Sequence, residues 1–507
     1  MISKVFSATV LGLDACPIEV EVDISSGLPA FLLVGLPDKT VEESKERVRA
    51  ALKNSGIITP SRKIIVNLAP ADIKKEGPSF DLPIAVALAA ASKQLSPLDK
   101  KSIFFGELSL NGDLRPISGV LPISLMAKKK GFNKIFLPFQ NAAEASLVSG
   151  LSIYPVKFLG ELINHLKGEK KIRKFAPKSS LPPPKPFEYE YDFAYIKGQE
   201  QAKRALEIAA TGMHNILMSG PPGGGKTLLA RALPSIMPKM TDDEMLDVTK
   251  IYSVAGLLPS DQPLIPERPF RSPHHTSSDI ALVGGGQRPK PGEITLAHQG
   301  VLFLDELPEF GRAVLEALRQ PLEDRIITVS RAAGSLQFPA HFILVGAMNP
   351  CPCGYLTDPI KQCICTPAQI IRYQKRISGP LLDRIDIHLE VPRVKYEKLA
   401  EEKVAEESKK VRERVEEARE RQRKRFAESK IKTNSEMKIQ DIKKYCQIDE
   451  RSQQLLKEAS SQLHLSARAY HRILKLARTI ADLSKSDKIQ PEYIAEAIQY
   501  RPKEIVY

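Results

Sequence analysis

Apolar and polar residues alternate along residues 5–11, 18–24 and 63–68, the two-residue period of strands with one buried face. Between them, residues 41–55 carry apolar positions at three- and four-residue spacing, which predicts a helix. Residues 81–91 read as a second helix, and residues 103–110 and 134–138 as strands, so residues 1–165 form one expected mixed α/β domain. The periodicity then stops. Residues 166–191 hold a basic run, three consecutive prolines and no apolar period, the composition of an extended linker. Beyond it, short apolar runs at 215–219, 301–304 and 341–347 alternate with helical stretches, predicting an α/β core over residues 192–392. From 396 to 430 the chain is almost entirely Glu, Lys, Arg and Ala at helical spacing, which reads as a solvated helix. Apolar stripes at 453–483 and 491–500 complete an expected all-α domain over residues 393–507.

Length agrees with this division, since 507 residues exceed what one compact core accommodates. The first 26 residues include Asp14, Glu19, Glu21 and Asp23, so no secretory leader is expected, and no apolar run is long enough to span a bilayer. A cytoplasmic protein with no membrane partner is the expectation. The net charge of +14 suits either a nucleic-acid partner or simply lysine-rich solvated surfaces.

Chemistry concentrates in the middle of the chain. Gly220-Pro221-Pro222-Gly223-Gly224-Gly225-Lys226-Thr227 fits the phosphate-loop pattern, after a predicted strand and before a predicted helix. Its glycines let backbone N–H groups wrap a triphosphate at a helix N-terminus; Lys226 would reach the β- and γ-phosphates and Thr227 would ligate Mg²⁺. Residues 301–304 are apolar and end in Asp305 and Glu306, the expected metal-holding carboxylate and water-polarising base. Asn349 ends a third apolar run and would sense the γ-phosphate. Arg384 lies between acidic neighbours and is the expected charge-neutralising arginine, acting from an adjacent subunit; Arg468 opens a helix in the C-terminal bundle and is a second expected nucleotide sensor.

These segments, with RPFRSPHHT at 268–276, PGEITLAHQGVLFLDELPEF at 291–310, AMNPCPCG at 347–354 and SGPLLDRID at 378–386, resemble AAA+ ATPases related to the magnesium-chelatase I subunit. More narrowly they resemble the YifB/ComM group, a likeness that extends to residues 35–38, 67–72 and 75–83. The resemblance implies a Lon-protease-like (S5-like) α/β domain, an AAA+ P-loop α/β core and a C-terminal all-α lid. It implies ATP and Mg²⁺ as cofactors and a homo-hexameric ring that remodels single-stranded or branched DNA by branch migration. A magnesium-chelatase-like or other protein-remodelling ATPase is the alternative. An insertion over residues 251–296 and a hairpin over 325–338 are expected, with Arg288, Lys290 and Arg331 either gripping phosphates or merely solvating loops. Residues 75–79 also resemble the Lon active-site segment, but Ile123 stands where the dyad lysine belongs; Ser79 is therefore expected to cap or pack in a non-catalytic domain.

Cys351, Cys353, Cys363 and Cys365 crowd one short stretch, as either a tetrahedral zinc site or free thiols in a reducing compartment. The adjacent His274 and His275 are expected to diverge, with no acidic partner, and to serve a structural or pore-loop role.

Overall fold

The computed structural model describes residues 2–176, 189–259, 262–286, 290–331, 334–394, 398, 405–463 and 465–502. Residues 177–188 of the expected linker therefore lie outside the described residues. The chain forms two compact units, Met1–Pro186 with Met245–Pro266, and Phe187–Glu244 with Glu267–Tyr507. The expected insertion at 251–296 is thus divided, its part up to Pro266 belonging to the first unit.

In the first unit a mixed seven-stranded sheet runs in the order Ala30–Val34, Lys63–Ala69, Asp14–Ser25, Ile2–Leu11, Ser102–Phe104, Lys134–Pro138, Ser152–Val156. Alternation places Val20 and Val22 opposite Leu68 and Val66 in the core, as the two-residue period requires. Helix Asp81–Ala91 buries every residue but Ala90, so its sequence is apolar almost all round. Asp81 tolerates this burial because Ser44 Oγ (2.5 Å), Arg47 Nε (2.7 Å) and Leu108 N (3.2 Å) all donate to it. Ile123 is buried on helix Val120–Lys129. Ser79 sits in the short helix Pro78–Phe80, where its carbonyl accepts from Gly106 N at 2.9 Å and no side chain caps the helix.

The second unit centres on five parallel strands in the order Phe270–Arg271, Val301–Leu304, Ile343–Met348, Ile216–Ser219, Ile387–Glu390. Helices Ser408–Arg425, Glu450–Gln462, Ala467–Leu483 and Pro491–Gln499 form the C-terminal bundle. The charge-rich helix departs from expectation. Ser408–Arg425 buries Val411, Val415, Ala418, Arg419 and Gln422 along one narrow stripe and packs against Glu200–Gly212 and Lys226–Ile236. Three small apolar residues among many charges suffice, because the long side chains flanking them keep their charged ends in water.

Two buried histidines should make the second unit acid-sensitive. His298 Nδ1 accepts the backbone N–H of His341 at 3.1 Å, which requires an unprotonated ring nitrogen. Burial pushes His298 down to about 4 and also lowers His341. An unfolded histidine titrates near ~6.5, so above that pH both states are neutral and nothing is lost. As pH falls from there towards 4, the unfolded chain binds protons that the folded one refuses, and stability drops by up to about 3 kcal/mol for His298. The urea midpoint should fall between pH 7.5 and pH 5. In His298→Asn, whose Oδ1 can accept the same N–H, that fall should shrink; an unchanged fall would remove His298 as its source.

Candidate functional site

Strand register sets the site. Ser219 pairs with Met348 on one side and Glu390 on the other, and Leu304 pairs with Gly346. The residues that follow these strands, Gly220, Asp305 and Asn349, therefore emerge together at the carboxyl edge of the sheet, where α/β proteins bind ligands. Glycine is required in the loop for steric reasons. A Cβ on Gly220 would lie 2.0 Å from Val391 O, and Gly223 and Gly225 hold φ of +78° and +86°. Gly225 caps helix Lys226–Ile236, whose N-terminus faces the loop.

Lys226 Nζ donates to Gly220 O (2.6 Å), Pro221 O (3.0 Å) and Asn349 Oδ1 (3.2 Å). Its burial lowers its pKa from the ordinary lysine value. Thr227 Oγ1 donates to Asp305 Oδ2 at 2.9 Å, and Asp305 Oδ1 accepts the Glu306 N–H at 2.9 Å. Lys226, Thr227, Asp305, Glu306 and Asn349 are thus brought into one cluster. Pro222 packs beneath Gly354, where an added Cβ would come within 2.7 Å of its ring.

The two arginines are held elsewhere. Arg384 pairs with Glu323 and donates to Pro380 O at 2.6 Å. Arg468 is 63% exposed and lies 3.8 Å from Asp383. Glu323 was not legible as a partner, because it sits on a separate helix, Arg319–Asp324.

Two residues escaped the sequence reading. Gln199 Nε2 bridges Gly224 O (3.1 Å) and Pro392 O (2.6 Å), tying the phosphate loop to the end of the edge strand. His275 was expected to lack an acidic partner. Instead its Nδ1 lies 3.3 Å from Glu306 Oε2, and the His274 and His275 rings are 4.2 Å apart rather than diverging. Parallel strands bring their carboxyl ends side by side, and His275 follows the strand Phe270–Arg271 that pairs with Val301–Leu304.

The four cysteines converge directly after Asn349. Their Sγ atoms all lie within 4.8 Å of one another, with Cys351 to Cys353 at 3.4 Å, Cys351 to Cys363 at 3.7 Å and Cys353 to Cys363 at 3.5 Å. Tetrahedral zinc with ~2.3 Å bonds sets its sulfurs about 3.8 Å apart, so the donor set and its spacing fit. Of the loops read as phosphate contacts, Arg288 lies outside the described residues, and Lys290 is exposed in the strand paired with Gly284–Gly285. Arg331 ends the hairpin strand Ile326–Arg331, which pairs with Gly334–Pro339.

A parallel sheet of this order, with a glycine-rich phosphate loop after one inner strand and a carboxylate pair after another, defines a P-loop ATPase of the AAA+ class. Comparison with known proteins narrows this. The family described as "Magnesium chelatase, subunit ChlI" matches residues 192–399, "Subunit ChlI of Mg-chelatase" matches 20–141 and the "subunit ChlI C-terminal" family matches 405–501. Competence protein ComM of Haemophilus influenzae is 45% identical over 98% of this chain and 97% of its own length. YifB of Escherichia coli is 44% identical over 99% and 97%. Lon protease 2 of Bacillus subtilis is 32% identical over 124 residues, 24% of this chain and 22% of its own length. The chain belongs to the ComM/YifB family of magnesium-chelatase-like AAA+ proteins. Among the described residues, no helix is long and apolar enough to cross a membrane.

Proposed function

We propose that this protein hydrolyses Mg²⁺-ATP in a ring of identical subunits and uses the energy to move DNA strands. The observation that carries the reading is the cluster in which Lys226 meets Asn349 and Thr227 meets Asp305. Gly220, Pro221, Pro222, Gly223, Gly224 and Gly225 would wrap the phosphates, and Lys226 would neutralise the β- and γ-phosphates. Thr227 and Asp305 offer the hard oxygen ligands that Mg²⁺ takes, and the ion would offset charge on the phosphoryl oxygens. Glu306 would polarise the attacking water, and Asn349 would report the γ-phosphate to Lys226. Arg384 would serve a neighbouring subunit's phosphate after leaving Glu323, and Arg468 would sense nucleotide from the helix it opens.

DNA is the substrate we favour. One relative bears the name of a competence protein, and the excess of 14 positive charges suits a polyanion. The test is ATP turnover with and without single-stranded or branched DNA, beside movement of a synthetic four-way junction. DNA should raise turnover and the junction should be resolved into its products. Absence of both binding and stimulation would reject DNA as the substrate while leaving hydrolysis in place.

We also propose zinc on Cys351, Cys353, Cys363 and Cys365. The ion would brace the loop between Asn349 and helix Pro367–Gln374, against which Pro222 packs through Gly354. Purified protein should carry about one zinc per chain, since a full Cys₄ set binds a single ion. Cys363→Ser should lower that content and loosen nucleotide binding. Metal-free protein with unaltered ATP affinity would contradict both statements.

A further inference from the structure

The turn that leads into the phosphate-loop strand carries a buried histidine that the site reading does not use. Helix Glu200–Gly212 ends on Met213, whose left-handed φ of +57° reverses the chain, and His214 N closes the turn on Ala209 O at 3.1 Å. The imidazole of His214 folds back over Gly212. A Cβ there would stand 2.2 Å from His214 Nε2 and 2.8 Å from Thr479 Oγ1, so only glycine leaves room for the contact between them.

His214 and Thr479 are both fully buried. Thr479 Oγ1 donates its single proton to Lys475 O at 2.9 Å and accepts from Asn434 Nδ2 at 3.1 Å. Across its 2.8 Å contact with His214 it therefore accepts again, and Nε2 carries the proton. On the other side of the ring Nδ1 donates to Asp386 Oδ2 at 3.1 Å. With both nitrogens donating, the imidazole is the cationic partner of Asp386. Burial pushes the Asp386 carboxyl up, but the hydrogen bond and charge of His214 outweigh it and hold the group below its ordinary value.

Asp386 stands two residues after Arg384, and the backbone between them is held at every step. Asn215 Nδ2 donates to Arg384 O at 3.0 Å, and Arg472 NH1 donates to Ile385 O at 2.7 Å. Asp386 N and Ile387 N both donate to Asn215 O at 3.0 Å. The base of Arg384 is thus anchored to the strand Ile216–Ser219 that enters the phosphate loop, and to helix Ala467–Leu483. Its guanidinium is held more loosely: it pairs with the exposed Glu323 and with Pro380 O, and its Nε is buried without a partner. A surface ion pair of this kind is weak enough to be exchanged for a phosphate.

We infer that His214 is a positioning residue: through Asp386 it keeps the backbone of Arg384 in register with the strand that carries the phosphate loop, so that the guanidinium reaches its phosphate from a fixed base. The inference rests on the ATPase reading of Arg384 above, and it adds what places that arginine. His214 itself touches neither nucleotide nor water. Its effect belongs in kcat, because a reacting-site group displaced by about 1 Å loses on the order of 10²-fold in rate, whereas the loop contacts that would bind ATP do not include it.

The test is a double-mutant cycle on single-turnover hydrolysis of labelled ATP, with nucleotide affinity and thermal midpoint measured on every variant. Arg384→Ala should slow hydrolysis by about 10³-fold. His214→Ala should slow it by about 10–100-fold with ATP affinity kept. The pair should be no slower than Arg384→Ala alone, since His214 acts only through that arginine. His214→Asn should recover most of the loss, because its Nδ2 occupies the place of the imidazole Nδ1 and still donates to Asp386. His214→Gln, whose nitrogen matches Nε2 instead, should not. A histidine that merely packs would add its loss to that of Arg384→Ala and would not distinguish asparagine from glutamine. Losses that multiply in the pair, or hydrolysis by His214→Ala at the wild-type rate, would overturn the inference. Should His214→Ala not fold, Asp386→Asn, which keeps the side-chain shape and removes its charge, takes its place in the cycle, and the same outcomes decide. Arg384→Ala at the wild-type rate would reject the reading of that arginine, and the inference with it.

Discussion

Replacing Glu306 by glutamine is expected to leave ATP binding intact while slowing hydrolysis by about 10²–10⁴-fold. Glutamine keeps the shape and a carbonyl oxygen but cannot take a proton from the attacking water. The phosphate contacts proposed for Lys226 and the loop glycines do not involve it, so affinity for ATP should stay near wild type. Asp305 lies one residue away and cannot substitute, because its two oxygens are engaged by Thr227 Oγ1 and the Glu306 N–H. Single-turnover hydrolysis beside equilibrium binding of a fluorescent nucleotide separates the effects. Parallel loss of binding and turnover would mean that Glu306 shapes the pocket rather than serving as the base.

The largest expected effect on stability comes from the C-terminal bundle. Asp482 lies in helix Ala467–Leu483, its side chain fully buried. Arg425 NH1 and Asn434 Nδ2 each donate to its Oδ2 at 2.8 Å, and Arg478 approaches Oδ1 at 3.0 Å. Asp482→Ala would strand two guanidinium groups without their carboxylate, a loss of about 3–5 kcal/mol. For a domain of this size the thermal midpoint should fall by roughly 10 °C. The same helix opens with Arg468, so DNA-stimulated turnover should decline before global unfolding is reached. Differential scanning calorimetry reads the first effect; a transition shifted by only a degree or two would show that the arginines find other partners.

Local chemistry was legible where it was contiguous in sequence. The phosphate loop declares itself because one short stretch carries the turn glycines, the lysine and the helix start. Asp305 and Asn349 were readable because each ends an apolar run, and parallel strands align such ends. The cysteine spacing likewise announced a cluster, since C-x-C pairs on one loop have little freedom to separate. What escaped depends on strand order and on tertiary partners. Nothing in the sequence near His275 signals that its strand lies beside the one ending in Glu306, so the histidine pair looked partnerless. Glu323 beside Arg384 escaped for the same reason. The helix Ser408–Arg425 misled because its buried stripe holds only three apolar residues, Val411, Val415 and Ala418, a signal outweighed by the surrounding charge.

The central claim is that one triphosphate is gripped by the loop 220–227 and cleaved there. Lys226→Ala tests it most directly, with ATP turnover and nucleotide binding measured on the folded variant. The account predicts turnover at background and binding weakened severely, because no other buried cation reaches Gly220 O, Pro221 O and Asn349 among the described residues. ATP consumed by Lys226→Ala at the wild-type rate would contradict it.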